Sequence, residues 1–467
     1  MDKKPIPIAD EKLGLEVLKA LARERSLLVA LEMMHKHVGD VFQITLPGFS
    51  PAVLVGPEAN RFVLVSDRQQ FLWRNEKDPV AKLLRQGLLV QDGEAHGRLR
   101  QIMEPVLQRP SVIPHIPTIL RYTDELAAQW RDGGTVDMLV EMRRLALLIL
   151  LGTTFNVDMW PDLERMWTPI LKTIKYISPG LWIIWPNMPR PGYKKALQEM
   201  DDYLYGLITQ RRAEIERLEI ERLEKSPSPN YLVTQSPRHP VPSSPHSFTP
   251  SSPDLLTALI QAGLDDGLIR DQLLTMLIAG HDTSTASLTW TLYLLSQHPA
   301  QMAQAVAEVD AVLGDDDPTE SHLNQLEFLD MAFKEALRLY PPIHIGNRMA
   351  ATDLDVTGYE VKAGTRVMYS IYLAHRDEKQ WENPEQFCPH RFDKSVRGQR
   401  SPLTYVPFGG GPRNCIGATF AQIEAKIVLA RIFQKFSLTL VPGQKIKPHM
   451  GATLEPKPGV KMVIGKR

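Results

Sequence analysis

The sequence predicts a mainly α-helical fold with a smaller β part, on three observations. Hydrophobic residues make up 43% and charged residues 23% of the 467 residues, which is typical of a globular protein and excludes collagen, a coiled coil or whole-chain disorder. Residues 41–55 contain two short segments with the alternation of β-strands. Most of the chain beyond residue 57 repeats its apolar residues with the period of an α-helix.

The two β segments are residues 41–46 and 52–55, joined through the turn-forming pair Pro47-Gly48. Helical periodicity then predicts a series of helices along the chain, at 57–67, 93–107, 114–131, 137–152, 161–177 and 192–223. The last of these runs into a five-residue repeat, 215–219 and 220–224, whose apolar residues share no common face. We therefore expect a solvated helix end there.

Residues 226–253 differ in kind from the rest of the chain. They contain eight Pro and eight Ser in 28 residues, a composition that cannot form a packed element. We predict a mobile insert at this place.

A long helix is predicted at 268–297, closed by His298-Pro299. Between Asp271 and His298 its only formally charged residue is Asp282, so the helix must be buried on nearly all sides. A membrane span is the alternative, but a charge in the middle of a span costs about 2.5 kcal/mol or more. The core of a large protein is the better interpretation.

Charge and cysteine content narrow the partners and the compartment. Lys+Arg and Asp+Glu are equal at 54 each, so no net field attracts a polyanion and we expect no nucleic-acid partner. Two cysteines, Cys388 and Cys415, are too few for a disulfide-stapled secreted fold. The charged start of the chain predicts neither a signal peptide nor a transmembrane anchor. Together these features predict a cytoplasmic protein.

The strongest local signal is the segment 408–417, Phe-Gly-Gly-Gly-Pro-Arg-Asn-Cys-Ile-Gly, followed by a helical pattern from Ala418. Its glycines and proline predict a tight loop that presents Cys415 at a helix N-terminus. The helix dipole and backbone N–H groups there lower a thiol pKa, which predicts a thiolate fit for a metal or for nucleophilic attack. A buried inert thiol is the alternative for a lone cysteine.

This segment resembles the haem-binding signature F-x-x-G-x-R-x-C-x-G of the cytochrome P450 family. All five fixed positions agree, at Phe408, Gly411, Arg413, Cys415 and Gly417. The resemblance implies that Cys415 is the axial ligand of the iron in haem b, with Phe408 and Gly417 beside the cofactor. Cys388, by contrast, has no complementary ligands for zinc.

Two further resemblances imply a structural cluster. Glu335 and Arg338 resemble the E-x-x-R helix pair of the family, with Pro341-Pro342 ending that helix; taken alone, they would be a surface pair. Residues 389–392 resemble the family's P-E-R-F segment, with His390 in place of its glutamate. The arginine of that segment, Arg391, is implied to complete the buried cluster.

Residues 279–283 resemble the oxygen-activation motif A-G-x-D/E-T on the long central helix; a polar kink is the alternative. The resemblance implies that Asp282 and Thr283 deliver protons and that Gly280 loosens the helix, with Ala279 beside the cofactor.

Residues 96–100 resemble the family's W-x-x-x-R helix, with His96 in place of Trp. Histidine and tryptophan side chains can both donate a hydrogen bond from a ring nitrogen. The resemblance implies that His96, Arg100, Arg348 and Arg413 bind the haem propionates by charge-assisted hydrogen bonds.

The resemblance implies one P450 domain over residues 1–467, with the haem buried between the long central helix and the cysteine loop. The implied activity is a monooxygenase that inserts one oxygen atom from O2 into a hydrophobic organic substrate. Electrons would come from NAD(P)H through a separate ferredoxin or flavodoxin type donor with its reductase. Candidate docking residues are Arg98, Arg397 and Arg400, a solvated face being the alternative. A peroxygenase or isomerase would also use the cysteine, and so would a non-catalytic haem sensor. Asp282 and Thr283 disfavour these alternatives.

The substrate region is also apolar. The six apolar residues from Leu181 to Pro186 correspond to the family's lid over the substrate channel, and they predict peripheral contact with a membrane surface. A loop folded onto the core is the alternative. Positions that line the family's pocket are apolar, with His344 as the exception: Met276, Ile278, Ile343, Ile345, Ala452 and Leu454. We therefore expect a hydrophobic substrate such as a fatty acid or a terpenoid.

Overall fold

The computed structural model describes residues 4–24, 26–46, 48–178, 190–225 and 254–467. The predicted insert at 226–253 and the apolar segment from Leu181 to Pro186 lie outside these ranges. Within the described residues, no helix is long and apolar enough to cross a membrane.

Helices make up most of the described chain, as predicted. In chain order they are α1 (Glu11–Glu24), α2 (Leu27–Val38), α3 (Pro57–Arg61), α4 (Pro79–Leu84), α5 (Gly93–Met103), α6 (Arg109–Val112), α7 (Ile116–Ala127), α8 (Met138–Thr154), α9 (Leu163–Ile177), α10 (Tyr193–Lys225), α11 (Leu255–Gln261), α12 (Asp266–Gln297), α13 (Pro299–Leu313), α14 (Glu320–Leu323), α15 (Glu327–Leu339), α16 (Ile371–Ala374) and α17 (Ala418–Lys435). Each predicted helix has a counterpart among these, and the boundaries differ by a few residues.

The strands are short and form small sheets. They are β1 (Lys4–Pro5), β2 (Val41–Gln43), β3 (Ala52–Leu54), β4 (Phe71–Leu72), β5 (Thr135–Asp137), β6 (Ile345–Ala350), β7 (Leu354–Val356), β8 (Tyr359–Val361), β9 (Arg366–Ser370), β10 (Phe436–Leu440), β11 (Lys447–Met450), β12 (Leu454–Lys457) and β13 (Lys461–Lys466). The largest sheet has the order β2-β3-β9-β6-β4, and β11 pairs with β12 as a hairpin. The predicted pairing of the first two segments is confirmed, because β2 and β3 are antiparallel neighbours with Val41 opposite Leu54.

Helix α12 lies at the centre of the main core and packs on α8, α10, α15 and α17. Asp265 caps its first turn by accepting the N–H of Leu268, and the helix ends before His298 and Pro299. Almost every residue along it is buried, which confirms a core helix. Apart from its ends and Tyr293, the helix is open to solvent at a strip in the middle, where Ala279 is exposed and Gly280 and Thr283 are partly exposed.

The far end of α10 is solvated, as the five-residue repeat predicts. Leu218 and Leu223 are exposed there, with 53% and 74% of their surface open to solvent. Nearer its start, the same helix contributes buried residues such as Leu204 and Ile208 to the core. The repeat therefore extends a packed helix beyond the body of the described chain.

Candidate active site

The cysteine loop is a tight turn held against the turn at residues 62–66. Gly409 and Gly411 have φ angles of 71° and 66°, in the left-handed region that favours glycine. A Cβ on Gly411 would lie 2.3 Å from the Leu64 carbonyl oxygen, so only glycine fits this close approach. The Cys415 N–H donates to the carbonyl oxygen of half-buried Phe408 at 2.8 Å. These contacts place the thiol two residues before the cap of α17 at Gly417.

The prediction of a lowered Cys415 pKa is wrong for the thiol itself. Burial raises its pKa, and this outweighs the backbone N–H of Gly417 and the charge of Arg100, which act in the opposite direction. Cys415 still has exposed surface although protein atoms surround it, so the residue is open to a ligand. A metal that binds the sulfur must therefore displace a proton, and metal affinity depends on pH.

A cluster of arginines lies beside the loop. The guanidinium carbon of buried Arg348 lies 3.2 Å from the centroid of the Trp73 ring, and that of Arg413 lies 5.0 Å from it. Arg413 donates to the Gln91 carbonyl oxygen at 2.7 Å and to Asp92 at 3.3 Å. Burial lowers the pKa of Arg413 to about 10, and the charges of Arg348 and Arg100 contribute although Asp92 opposes them. The cluster would therefore be stabilised by an additional anion.

His96 and Arg100 on α5 belong to the same cluster. Arg100 binds Glu104 at 2.8 and 3.0 Å, and it donates to the Asn414 carbonyl oxygen at 2.8 Å, next to Cys415. Burial lowers the pKa of His96 to about 4, with further contributions from Arg413 and Arg100. The histidine is therefore neutral at pH 7. The structure brings together all four predicted propionate ligands.

The exposed strip of α12 carries Ala279, Gly280 and Thr283 of the predicted oxygen-activation motif. Thr283 donates its hydroxyl to the Ala279 carbonyl oxygen at 2.7 Å, a bond also expected of a polar kink. Helix α12 is continuous here and Gly280 also has a packing role, while its loosening of the helix stays a prediction. A Cβ on Gly280 would lie 2.8 Å from Leu150 of α8, so glycine permits the close approach of the two helices.

Asp282 points into a buried polar network. Its carboxylate accepts the Thr453 hydroxyl at 2.9 Å and lies 3.4 Å from the Arg143 guanidinium. Arg143 also binds Glu455 at 2.5 Å. Arg143 and Glu455 were missed by the sequence analysis, because contacts between residues so far apart in the chain leave no local signal. The neighbouring His281 is buried, and burial lowers its pKa to about 3.

The Glu335–Arg338 pair is fully buried, so the alternative of a surface pair is wrong. Two hydrogen bonds of 2.7 and 2.8 Å join the side chains, and Arg391 reaches Glu335 at 3.3 Å. Arg338 also donates to three carbonyl oxygens, those of His375, Pro384 and Gln386. The cluster therefore joins α15 to the chain that leads towards the cysteine loop.

Half-buried Cys388 donates its backbone N–H to Glu335 at 2.9 Å. Within the ranges that the structure describes, no group of three or more His, Cys, Asp or Glu residues is arranged to hold a metal ion.

The residues predicted to line a substrate pocket are not all placed alike. Leu454 has no exposed surface and packs in the core beside the largest sheet, so it does not line a cavity here. Ile345 is buried in the same cluster, whereas Ile343 is 41% exposed and Ala452 is partly buried. Met276 and Ile278 are buried in the main core. Burial lowers the pKa of His344 to about 4, so this side chain is neutral at pH 7.

The predicted docking residues also differ in their environment. Arg98 is exposed on α5. Arg400 is not a free surface charge: it donates to the Arg391 carbonyl oxygen and stacks over Trp381, with 4.7 Å to the ring centroid. Its role as a docking residue is therefore corrected to a structural one. The side chain of Arg397 lies outside the described part of the chain.

These features fit haem b with a thiolate ligand, because the site combines a thiol with an excess of positive charge for two propionates. They define a haem-thiolate oxidoreductase. A family model described as Cytochrome P450 matches residues 14–463, and the chain belongs to the cytochrome P450 family. It is therefore a monooxygenase that uses O2, haem b, a substrate and a redox partner.

Similar proteins come from plants and bacteria. Protein LUTEIN DEFICIENT 5, chloroplastic, from Arabidopsis thaliana is 29% identical over 95% of this chain and 75% of its own length. Putative cytochrome P450 135B1 from Mycobacterium tuberculosis is 28% identical over 94% of this chain and 89% of its own length.

Solved structures share the fold. The cytochrome P450DA heme domain matches with a TM-score of 0.77 and 25% identity, over 94% of this chain and 92% of that chain. Retinoic acid bound cyanobacterial CYP120A1 matches with the same TM-score and identity, over 93% and 94%. The predicted P450 fold is confirmed.

Proposed function

We propose that this monooxygenase inserts oxygen into a hydrophobic substrate such as a fatty acid or a terpenoid. One observation carries the proposal: the charged groups around Asp282 of α12 are already bound within the protein. Asp282 is held by Thr453 and Arg143, and Arg143 by Glu455. A ligand that placed a charge next to these groups would have to break the ion pairs, so the part of the substrate that reacts is expected to be apolar. The retinoic acid bound to a structural relative is also a largely apolar ligand.

The cofactor is held by groups on both sides of the loop. A haem bound through a thiolate supplies the activation of O2. Cys415 would bind the iron, and the arginine cluster with His96 would bind the propionates, because the arginines lack a full set of counter-charges. Neutral His96 donates a hydrogen bond and adds no repulsion to the arginines.

Proton delivery is assigned to the acid and alcohol on α12. The Thr283 hydroxyl lies on the exposed strip, and its bond to the Ala279 carbonyl oxygen fixes the direction of the hydroxyl. Asp282, one residue earlier, is the nearest acid in the chain to this hydroxyl. We assign to Asp282 the supply of a proton, and to Thr283 its transfer towards the oxygen atom that leaves as water.

Electrons are proposed to arrive from a separate ferredoxin or flavodoxin type donor. Arg98 is exposed on α5, the helix that also carries Arg100 and so reaches the segment beside Cys415. A positive side chain there favours an acidic partner by electrostatic steering. A peroxygenase would need no such partner, and the acid and alcohol on α12 disfavour it.

The experiment is a comparison of electron sources and ligands. The holoenzyme is titrated with lipophilic neutral compounds, long-chain acids and small charged compounds while water leaving the iron is followed by the Soret shift. We expect the first two groups to shift the spectrum, and product to form with NADPH and a surrogate ferredoxin system. Spectral shifts by small charged compounds alone would contradict the substrate class. Product formation with peroxide alone would favour the peroxygenase.

A further inference from the structure

The Asp282 carboxylate is oriented by a residue from another part of the chain. Thr453 lies in the turn between β11 and β12 and donates its hydroxyl to Asp282 Oδ2 at 2.9 Å. Both side chains are buried. The guanidinium of Arg143 lies at 3.4 Å from the other carboxylate oxygen, but its shorter contact, 2.5 Å, is to Glu455. Thr453 therefore makes the better hydrogen bond to Asp282.

This bond directs the acid away from its partner on α12. Successive residues of an α-helix point about 100° apart, so Asp282 and Thr283 leave the helix in different directions. The Thr283 hydroxyl donates to the Ala279 carbonyl oxygen at 2.7 Å, on the exposed strip. The Asp282 carboxylate instead points to the hairpin and α8. Its orientation is thus set by the hairpin and not by Thr283.

The turn that carries Thr453 is firmly attached. The N–H of Ala452 donates to the Ser178 hydroxyl at 3.1 Å, and the N–H of Leu454 donates to the Pro342 carbonyl oxygen at 2.9 Å. The indole N–H of Trp290 donates to the Leu454 carbonyl oxygen at 2.8 Å. Three bonds therefore hold the residues on either side of Thr453, and its hydroxyl is presented from a fixed support.

We propose that Thr453 is a positioning residue for proton delivery, which holds the Asp282 carboxylate in the geometry from which it supplies protons. The inference rests on the proposed role of Asp282. The threonine keeps its own proton: its hydroxyl donates to the charged carboxylate and accepts from the protonated one. Without this hydroxyl, Asp282 is left with the longer contact to Arg143 and takes other side-chain orientations.

The test compares the holoenzyme with Thr453→Val, which keeps the shape but removes the hydroxyl, and with Thr453→Ser, which restores it. Thr289→Val is a matched control, because Thr289 is also buried on α12 and its hydroxyl donates to the Thr285 carbonyl oxygen of its own helix. We expect Thr453→Val to increase the share of NADPH electrons lost as hydrogen peroxide about threefold or more. Thr453→Ser should restore coupling and Thr289→Val should not alter it, with haem content and ligand affinity unchanged.

A second measurement does not depend on turnover. Melting temperatures of the holoenzyme are compared for Thr453→Val, Asp282→Ala and the double variant, because alanine, unlike asparagine, cannot accept the Thr453 hydroxyl. If the two side chains act through one hydrogen bond, the melting temperature of the double variant falls by less than the sum of the losses in the two single variants. Additive losses of melting temperature would overturn the inference, because the two residues would then be independent.

The outcomes separate the inference from the proposed function. If Asp282→Asn uncouples turnover but Thr453→Val does not, the positioning role is wrong and the role of Asp282 stands. If Thr453→Val uncouples turnover further in the Asp282→Asn background, Thr453 acts by another route and the inference is also wrong. If Asp282→Asn loses no larger share of NADPH electrons as hydrogen peroxide than the wild type, the proton-delivery role of Asp282 is wrong, and the inference is wrong with it.

Discussion

At the scale of single residues, Cys415 is the residue to which we assign the ligation of the cofactor. Its backbone N–H donates to the Phe408 carbonyl oxygen and the glycines shape the loop, so replacing the sulfur leaves the loop intact. We expect Cys415→Ser to keep the fold and to lose thiolate ligation, since an alcohol does not ionise there. The ferrous-CO complex should lose its red-shifted Soret band. Cys388→Ser is the control and should keep it; an unchanged band in Cys415→Ser would mean that another residue binds the iron.

Thr283 is the residue through which we expect proton delivery to be observed. Thr283→Ala removes the hydroxyl on the exposed strip, so reduced oxygen is released as hydrogen peroxide. Haem content and NADPH consumption should persist while product falls about tenfold or more. Thr285→Ala is the matched control, because Thr285 makes the same type of bond, to the His281 carbonyl oxygen, on the buried side. Wild-type coupling in Thr283→Ala would require another proton route.

Glu424 gives the protein a pH-dependent stability that the sequence did not reveal. Burial raises its pKa to about 8, although a hydrogen bond from Ser284 at 2.6 Å acts in the opposite direction. The folded state therefore keeps a proton that the unfolded state releases near pH 4.5. Stability from this group is present below that pH and is lost as the pH rises towards 8.

We expect Glu424→Gln to remove this loss. The difference in melting temperature between Glu424→Gln and the wild type should grow in favour of the variant from pH 5 to pH 8, and level off above. Ser284→Ala is a useful comparison, because it removes the bond to the ionised form and leaves the carboxyl. A difference that stays constant with pH would show that Glu424 is ionised in the folded protein.

At the scale of elements, the crossing of α12 over α8 depends on Gly280. Leu150 of α8 occupies the space that a Cβ on Gly280 would need, at 2.8 Å. Gly280→Ala should lower the melting temperature by several degrees, because overpacking costs more than the gain in helix propensity of about 1 kcal/mol. Leu150→Val should relieve the clash, so the double variant should be more stable than the two separate losses predict. Simple additivity would contradict this account.

Element prediction succeeded where periodicity was strong and local. The strands β2 and β3 were foreseeable, as were the helices α5, α7, α8, α9, α10 and α12, because side chains on one face of each element meet the core at a regular interval. The pairing of strands was harder to predict. Strand β3 pairs in parallel with β9, some 300 residues later in the chain, with Ala52 opposite Val367. Such pairings depend on how distant segments pack, which a local pattern does not contain.

At the scale of the whole molecule, haem removal should expose the repulsion within the arginine cluster. Burial and neighbouring charges lower the pKa of Arg413, so these cations are incompletely neutralised by Asp92 and Glu104. Propionates would neutralise them in the loaded protein. We expect the apoprotein to melt at a lower temperature than the holoenzyme. Its melting temperature should also rise more than that of the holoenzyme when salt is raised from low to about 0.5 M, because salt screens the repulsion. Equal salt dependence of the two forms would contradict this role of the cluster.

The identity of the site residues was determined by the sequence, because the cysteine loop and the acid and alcohol of α12 are contiguous motifs. Their environment was decided only by the tertiary structure. The thiol pKa is raised because burial outweighs the helix terminus, which local reasoning about a dipole could not weigh. Asp282 faces the hairpin because Thr453 and Arg143 reach it from distant parts of the chain. A sequence motif specifies which groups are available, whereas solvation and hydrogen-bond partners depend on everything packed around them.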